Sequence, residues 1–179
     1  MKKYLVISAI GPDRPGIVDA VSDCAALHGC NLDESRMAVL GGEFAIIVLF
    51  TGQEKNILAL RKALPALGKK LKLSISARPT SANPPVRKKD YLPYALKVNG
   101  MDQQGLVHSV THVLAEKKIN IQSLTTGSAN APVSGTPLFN LVASLEVPVS
   151  VSIAGLRQDL DTACNTLNID YDLEQATAR

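Results

Sequence analysis

Residues 11–18, Gly-Pro-Asp-Arg-Pro-Gly-Ile-Val, mark an abrupt change in the pattern of the chain. Residues 4–10 before them are almost continuously apolar, whereas the apolar residues after them recur at helical spacing. A short apolar run is typical of a buried strand, and the later spacing is typical of an amphipathic helix. The stretch therefore predicts a tight connection from a strand to a helix.

This stretch occurs a second time. Residues 100–107, Gly-Met-Asp-Gln-Gln-Gly-Leu-Val, repeat its Gly, Asp, Gly and Val at the same internal spacing. The likeness runs on from Val21 against Val110 to Asn31 against Asn120. The period is about 90 residues, far longer than the roughly 20 to 50 residues of solenoid repeats. The chain therefore contains one structural unit twice.

Each copy of the stretch has features of a small anion site. Asp13 and Asp102 are predicted as helix N-caps, because their carboxylates can accept from the backbone N–H three residues on, at Gly16 and Gly105. Pro15 suits the first turn of a helix, where its missing N–H costs nothing. A glycine at the helix start lets a carboxylate approach free N–H groups and the positive end of the helix dipole. The same glycines also suit a turn that closes against the sheet, so spacing alone leaves both interpretations open.

Two groups of residues are predicted to bind a small amino acid. The N–H groups of the loop would bind its carboxylate, and Asn31, Asp33 or Asn120 would accept from its ammonium group. The full candidate set is Gly11, Asp13, Arg14, Pro15, Gly16, Ile17, Asn31 and Asp33 in the first copy, and Gly100, Asp102, Gly105, Leu106 and Asn120 in the second.

The rest of each copy completes a βαββαβ unit. In the first copy, residues 31–40 form a strand, Gly41-Gly42 a hairpin turn, and residues 44–50 an apolar and therefore central strand. Pro65 predicts that the second helix ends or kinks just before it. Residues 72–77 alternate polar with apolar side chains and close the sheet. The predicted class is α+β, with two ferredoxin-like domains that each place two helices on one face of a four-stranded antiparallel sheet.

The two copies are predicted to be separate domains. Residues 79–90, which contain three prolines and a basic run, are predicted as a linker between a domain at 1–78 and a domain at 91–179. In the second domain, residues 127–137 (GSANAPVSGTP) replace the tight hairpin turn of the first domain. They are predicted as a longer loop, because added length in a surface loop costs little entropy.

Composition excludes several classes of function. With 179 residues, 46% of them hydrophobic, the chain is long enough for two small globular domains. A net charge of +3 is too small to indicate a nucleic-acid-binding face, and the basic run is predicted to be a solvated linker. No apolar run approaches the roughly 20 residues of a membrane span, so we expect a cytoplasmic protein. Domains of this size are marginal alone and are expected to pack against each other or a second chain, as in a homodimer.

The cysteines and histidines do not form a motif for a disulfide scaffold or a metal site. The three cysteines are Cys24, Cys30 and Cys164. Their odd number and the lack of a C-x-x-C spacing predict small buried side chains, with no cofactor. His108 and His112 have the i, i+4 spacing that can bind zinc, but Asp19 and Asp23 occupy these positions in the first copy, which favours a solvated helix face.

These residues resemble a known family. The Asp-Arg-Pro-Gly-Ile-Val turn within a βαββαβ unit resembles the ACT domain, a regulatory module that usually binds amino acids. Two copies, together with residues 29–44 (GCNLDESRMAVLGGEF), resemble the family of glycine cleavage system transcriptional repressors. The resemblance implies a protein that senses a small amino acid, glycine first, and restrains a transcriptional activator by protein contact. The second copy differs, since Gln103-Gln104 replaces Arg-Pro and residues 120–125 read NIQSLT.

Three other functions are open at this point. A general amino-acid-binding module acting on an enzyme partner fits the same residues. Formyltetrahydrofolate deformylases resemble the chain in their opening module, but a catalytic domain follows there, and no Ser/His/Asp group or carboxylate pair stands out here. A repressor that binds DNA directly would be expected to show a helix-turn-helix, which nothing in the sequence resembles. The sequence therefore favours a regulator that is not an enzyme and does not bind nucleic acid directly.

Overall fold

The structure is a computed structural model that describes residues 2–81, 90–130 and 135–176. It divides into two compact units, Met1–Val86 and Arg87–Arg179. This division falls within the predicted linker at 79–90, most of which lies outside the described residues.

The first unit has the βαββαβ order predicted from the sequence. Its elements are β1 (Lys2–Pro12), α1 (Ile17–Leu27), β2 (Asn31–Leu40), β3 (Glu43–Gln53), α2 (Glu54–Leu71) and β4 (Ser74–Thr80). The strands form one antiparallel sheet in the order β2-β3-β1-β4, so the two most apolar strands, β1 and β3, are central as predicted.

The second unit repeats this architecture. Its elements are β5 (Tyr91–Met101), α3 (Leu106–Glu116), β6 (Asn120–Asn130), β7 (Pro137–Pro148), α4 (Ile153–Leu167) and β8 (Ile169–Gln175). The sheet order is β6-β7-β5-β8, again antiparallel throughout. The prediction of one structural unit present twice is confirmed.

Both helices of a unit cover the same face of its sheet. In β1, Leu5, Ile7 and Ala9 are buried and join one core with Ile17 and Val21 of α1 and with apolar residues of α2. The alternate residues of the strand point to the other face because side chains along a strand alternate in direction. Each sheet therefore has one covered face and one open face.

Pro65 does not end the second helix. α2 runs without interruption from Glu54 to Leu71, so the prediction that it ends near Leu64 is wrong. Pro65 lies on the exposed side of the helix, where water can replace the backbone hydrogen bond that its ring removes. Leu60 and Leu64 on the opposite side are buried and hold the helix against the sheet.

The two turns between the second and third strands differ less than predicted. In the first unit, Gly41 and Gly42 have φ values of 59° and 84°, as a tight hairpin turn requires. In the second, residues 127–130 belong to β6 and pair with β7, so the predicted loop at 127–137 is too long. Backbone pairing continues there despite the Gly/Ser composition, which weakens but does not forbid a strand. Residues 131–134 of that prediction lie outside the described residues.

Candidate ligand-binding site

The connection from strand to helix has the same backbone conformation in both domains. Helix α1 begins at Ile17 and α3 begins at Leu106, each preceded by a glycine with φ of 88°. This left-handed conformation strongly disfavours residues that carry a Cβ. The turn therefore requires Gly16 and Gly105, even though the residues between the turn's aspartate and its glycine differ between the copies.

Asp13 and Asp102 are not the N-caps that the sequence predicted. The N-cap residues are Gly16 and Gly105, and neither helix start has a side-chain cap. The aspartates lie three residues earlier, where their backbones have another role. The N–H of Asp13 donates to the carbonyl of Gly42 at 2.9 Å, and that of Asp102 donates to Pro137 at 3.0 Å. The loop is thus attached to the connection between the second and third strands.

The helix starts are open. A Cβ placed on Gly16 or Gly105 would meet no atom within 4 Å. The first helical hydrogen bond of α1 runs from Ala20 N–H to Gly16 O at 3.0 Å. The N–H groups of residues 17–19 therefore have no acceptor within the helix itself. Free N–H groups and the helix dipole favour an anion at such a place. Each helix start therefore leaves free N–H groups accessible to an anion.

Arg14 holds the loop to the far helix of its own domain. Its Nη2 donates to the carbonyl of Lys70 in the last turn of α2 at 3.1 Å. Gln103, at the equivalent position of the second copy, donates in the same way to the carbonyl of Leu167 at the end of α4. The change from Arg to Gln therefore keeps this contact. Arg14 has a structural partner, and Pro15 lies in the turn before the helix.

Asn31 and Asp33 form a polar group with a residue that the sequence did not single out. Asp33 Oδ1 accepts from Asn31 Nδ2 at 2.6 Å and from the hydroxyl of Thr51 at 2.8 Å. The hydrogen bond from Asn31 has the largest effect and the one from Thr51 adds to it, and together they lower the pKa of the Asp33 carboxyl. Thr51 is a buried polar residue at the end of an apolar strand, and that contrast was the available signal.

The strand register places this polar group at the opposite end of the sheet from the loop. Asn31 pairs with Thr51, which pairs with Tyr4, whereas Gly11 at the loop pairs with Phe44. Seven residues of strand between the two rows span roughly 23 Å. Within one domain, the structure therefore does not bring Asn31 or Asp33 to the helix start of α1.

The second domain shows the same separation with a rearranged polar group. Asn120 lies in the row of Pro93, seven residues along β5 from Gly100 at the loop. The carboxylate comes from Glu146 of β7, which accepts from Asn120 at 2.8 Å and from Gln122. The asparagine thus donates to a carboxylate in both domains, but the carboxylate comes from the second strand of the first domain and from the third strand of the second domain. Gln122 and Glu146 were also missed from the sequence.

No metal or membrane feature joins this site in the described ranges. Residues 2–81, 90–130 and 135–176 contain no cluster of three or more His, Cys, Asp or Glu suited to a metal ion. The rings of His108 and His112 stack at 5.6 Å, and Nε2 of His112 lies 3.5 Å from Glu116 on the exposed side of α3. In the same part of the chain, no helix has the length and apolar character needed to cross a membrane.

The cysteines of the two domains are free thiols. Cys30 and Cys164 are buried and Cys24 is half-buried, close to the prediction of small buried side chains. Burial raises the pKa of the Cys30 and Cys164 thiols, which disfavours the reactive thiolate.

Comparison with known proteins identifies the family. The pattern of the ACT domain matches residues 3–78. The glycine cleavage system transcriptional repressor of Escherichia coli (strain K12) is 30% identical over 167 residues, which cover 92% of this chain and 86% of that protein. The chain belongs to the glycine cleavage system transcriptional repressor family. This confirms the resemblance found in the sequence.

Two solved structures resemble this family member along its whole length. One, described as an unknown protein from Galdieria sulphuraria, has 33% identity and a TM-score of 0.83, with 99% of this chain and 100% of that chain covered. Another, provisionally assigned as a glycine cleavage system transcriptional repressor, has 28% identity and a TM-score of 0.71, with 99% of both chains covered. The two-copy ACT fold of the family is thus present in full.

Proposed function

We propose that this chain is a non-enzymatic, cytoplasmic regulator that binds a small amino acid, with glycine as the first candidate. It restrains a transcriptional activator of the glycine cleavage genes by protein contact. The observation that carries this proposal is the likeness over 92% of the chain to a protein named as a glycine cleavage system transcriptional repressor.

The helix starts support an amino acid as the ligand. The N–H groups at the starts of α1 and α3 bind the carboxylate of the ligand. Its ammonium group needs an acceptor on the same loop, because Asn31 and Asp33 lie at the far end of the sheet. The carboxylates of Asp13 and Asp102 are suited to this role, since neither has a hydrogen bond or ion pair within the described residues. This replaces the N-cap role that the sequence predicted for them.

Titration calorimetry with glycine, alanine, serine and leucine tests the ligand and its location. Gly16→Asn and Gly105→Asn put a side chain into the open space at each helix start, and asparagine tolerates the left-handed conformation better than other residues. Each variant is expected to lose the site of its own domain. Gly41→Asn is the matched control, because Gly41 also has a positive φ and a Cβ added to it would meet no atom within 4 Å.

Three outcomes would contradict the site. No heat with any of the amino acids, from folded protein, would exclude an amino-acid ligand. Unchanged binding by the double variant Gly16→Asn/Gly105→Asn would exclude both helix starts. Equal loss of binding in Gly41→Asn would show that the effect comes from the turn substitution itself. Asp13→Asn, which keeps the size of the side chain but removes its charge, tests the ammonium contact.

The regulatory output is tested with the activator itself. A tenfold change in activator binding requires about 1.4 kcal/mol of coupling, within the range of ordinary allosteric effects. Association of the purified protein with the activator is expected to change when glycine is added. Activator binding that is indifferent to glycine would contradict the coupling. Binding of operator DNA by this protein alone would favour direct repression. Capture of an enzyme in place of the activator would favour a general amino-acid-binding module that acts on an enzyme partner.

A further inference from the structure

The open face of the first sheet is apolar at its centre. Val6 and Ile10 of β1 and Ala45, Ile47 and Leu49 of β3 point to this face, away from the helices. Ile10 is 54% exposed and Ile47 is 50% exposed. Ile10, Ala45 and Ile47, together with residues of the outer strands, line a shallow trough of about 530 Å³. Contiguous apolar surface of this kind is unusual on a monomer and often marks an interface.

The second domain shows that the fold does not require this apolar face. At the positions equivalent to Val6, Ser8, Ile10, Ala45 and Leu49, the second sheet carries Ala95, Lys97, Asn99, Asn140 and Ser144. Its outer strand β8 adds Asp170, Asp172 and Glu174 to the same face. Only Val142, at the position of Ile47, keeps comparable apolar exposure among these rows, at 49%. The apolar face is therefore a property of the first copy that its fold alone does not explain.

The residues of this open face lie in three rows across the sheet. The rows are Glu34–Leu49–Val6–Arg78, Arg36–Ile47–Ser8–Ser76 and Ala38–Ala45–Ile10–Ser74, each read from β2 to β4. In every row the two central residues are apolar or small. The ends of the first row carry opposite charges. When a row is laid over itself in reverse order, the first row therefore places Glu34 opposite Arg78, and the centres of the other two rows place a large apolar residue opposite a small one.

We propose that a second copy of this chain covers the face, with the two-fold axis parallel to the strands and midway between β1 and β3. This axis places each row on the same row of the partner in reverse order, which makes the interface isologous. Ile10 lies over the partner's Ala45, and Ile47 lies over the partner's Ser8. Large side chains thus meet small ones in the second and third rows, and in the first row Val6 meets the partner's Leu49.

The charges at the edges fit the same arrangement. Glu34 lies over the partner's Arg78 at both ends of the first row. In the single chain Glu34 already bonds Arg36 at 3.0 Å, and Arg78 has no acidic residue in its own row other than Glu34 on the opposite edge strand. Three strand spacings, about 14 Å, separate these edges within one sheet. The second copy brings the two charges together.

The size of the face predicts a dimer that forms reversibly. Four strands and the nine residues from Tyr4 to Pro12 give a face of about 19 Å by 30 Å, or roughly 600 Å² per protomer. The total of roughly 1,200 Å² is at the lower end of specific interfaces. Aligned sheets pack about 10 Å apart and cross at about 30°, so the strands of each copy incline by about 15° to the axis and the central rows stay in contact. The inference does not depend on the amino-acid site.

Analytical ultracentrifugation over a range of concentrations tests the proposal. The full chain is expected to show a concentration-dependent dimer. Ile47→Glu should weaken it at least about 100-fold, because a carboxylate would be buried opposite a single hydroxyl. Val142→Glu is the matched control, since it makes the same charge change at the equivalent, equally exposed position of the second sheet. It should leave the dimer unchanged.

Four further variants keep the test decisive. Ile10→Asn/Leu49→Ser introduces the residues that the second domain carries at these positions, so the fold should tolerate it while the dimer is lost. Glu34→Arg and Arg78→Glu should each weaken the dimer, and the double variant should restore it at low salt. A wild-type monomer at all concentrations would overturn the proposal, as would a dimer that survives Ile47→Glu and the Ile10→Asn/Leu49→Ser pair. Failure of the charge exchange to restore the dimer would overturn the orientation of the axis.

Discussion

Each of the helices α1 to α4 is followed by a residue in the left-handed conformation, and two of these residues are lysines. The four positions are Gly29, Lys72, Lys118 and Asn168, with φ of 63°, 56°, 56° and 51°. At each of them the chain turns out of the helix through backbone bonds such as Leu73 N–H to Gly68 O at 2.9 Å. Glycine is preferred at such positions because it has no Cβ. We therefore predict that the Lys72→Gly variant is more stable to unfolding than the Lys72→Ala variant.

The magnitude follows from two opposing terms. A Cβ in the left-handed region costs about 1–2 kcal/mol, and Lys72→Gly removes this strain whereas Lys72→Ala keeps it. Glycine also makes the unfolded chain freer, which costs about 0.4–1 kcal/mol. The glycine variant should therefore exceed the alanine variant by about 1 kcal/mol in the free energy of unfolding. Comparing the two variants cancels the loss of the lysine charge, which is common to both.

The assay is urea unfolding followed by circular dichroism, with melting temperature as a second measure. For a domain of this size, 1 kcal/mol corresponds to about 5 °C. Lys62 supplies the control, because it is an exposed lysine in the interior of the same helix. There the order should reverse, with alanine more stable than glycine by about 1 kcal/mol. Lys118 repeats the test in the second domain.

One result would refute this reasoning. If alanine equalled or exceeded glycine at both Lys72 and Lys118, the positive φ would carry no strain at these helix ends. If the glycine variant were also more stable than the alanine variant at Lys62, the result would likewise contradict the prediction. The advantage of glycine would then not depend on the left-handed backbone conformation.

Two further predictions concern Gly11 and Asp33. Gly11→Ala would place its Cβ 2.5 Å from a backbone carbonyl, so it should destabilise the first domain by about 1–3 kcal/mol in the same urea assay. Gly155→Ala is the control and should not destabilise the protein, because no atom lies closer than 3.7 Å to its Cβ. Equal effects of the two substitutions would contradict the steric cause. For Asp33, Thr51→Val removes one of the two bonds that lower its pKa, so carbon NMR titration should show this pKa rising toward its ordinary value. Because the folded-state pKa is lowered, the stabilising contribution of Asp33 is present above its unfolded pKa of about 3.9 and is lost as pH falls through the folded value. An unchanged pKa in Thr51→Val would contradict the assigned cause.

The repeated pattern of the sequence was enough to predict the fold. Continuous apolar runs identified β1 and β3 as central strands, and helical spacing identified α1 and α2. Local rules were less reliable where packing opposes them. Pro65 did not stop α2, because buried leucines on the opposite side of the helix offset the loss of one exposed backbone bond.

The site was predicted only in part, because its geometry depends on long-range register. The sequence located the glycines of the two helix starts correctly, since their spacing is local. It grouped Asn31 and Asp33 with Gly16, but the pairing of Asn31 with Thr51 places them at the other end of the sheet. Strand pairing between distant segments has no signature in one sequence. Glu146 was missed for the same reason, whereas Thr51 stood out as a polar residue at the end of an apolar strand.

The two helix starts share a backbone conformation but differ in charge. α1 carries Asp19 in its first turn, whereas α3 has no acidic residue there and carries His108 at the equivalent position. An acid in the first turn complements the helix dipole and repels a second anion, an effect of about 0.3–1 kcal/mol at exposed sites. The start of α3 is therefore electrostatically better suited to a carboxylate, although the Arg-Pro of the first copy is absent there. Since Gln103 keeps the loop attached to α4, the second copy also retains the loop geometry of the candidate site. Of the two calorimetric variants, Gly105→Asn should therefore remove the tighter of the two binding events.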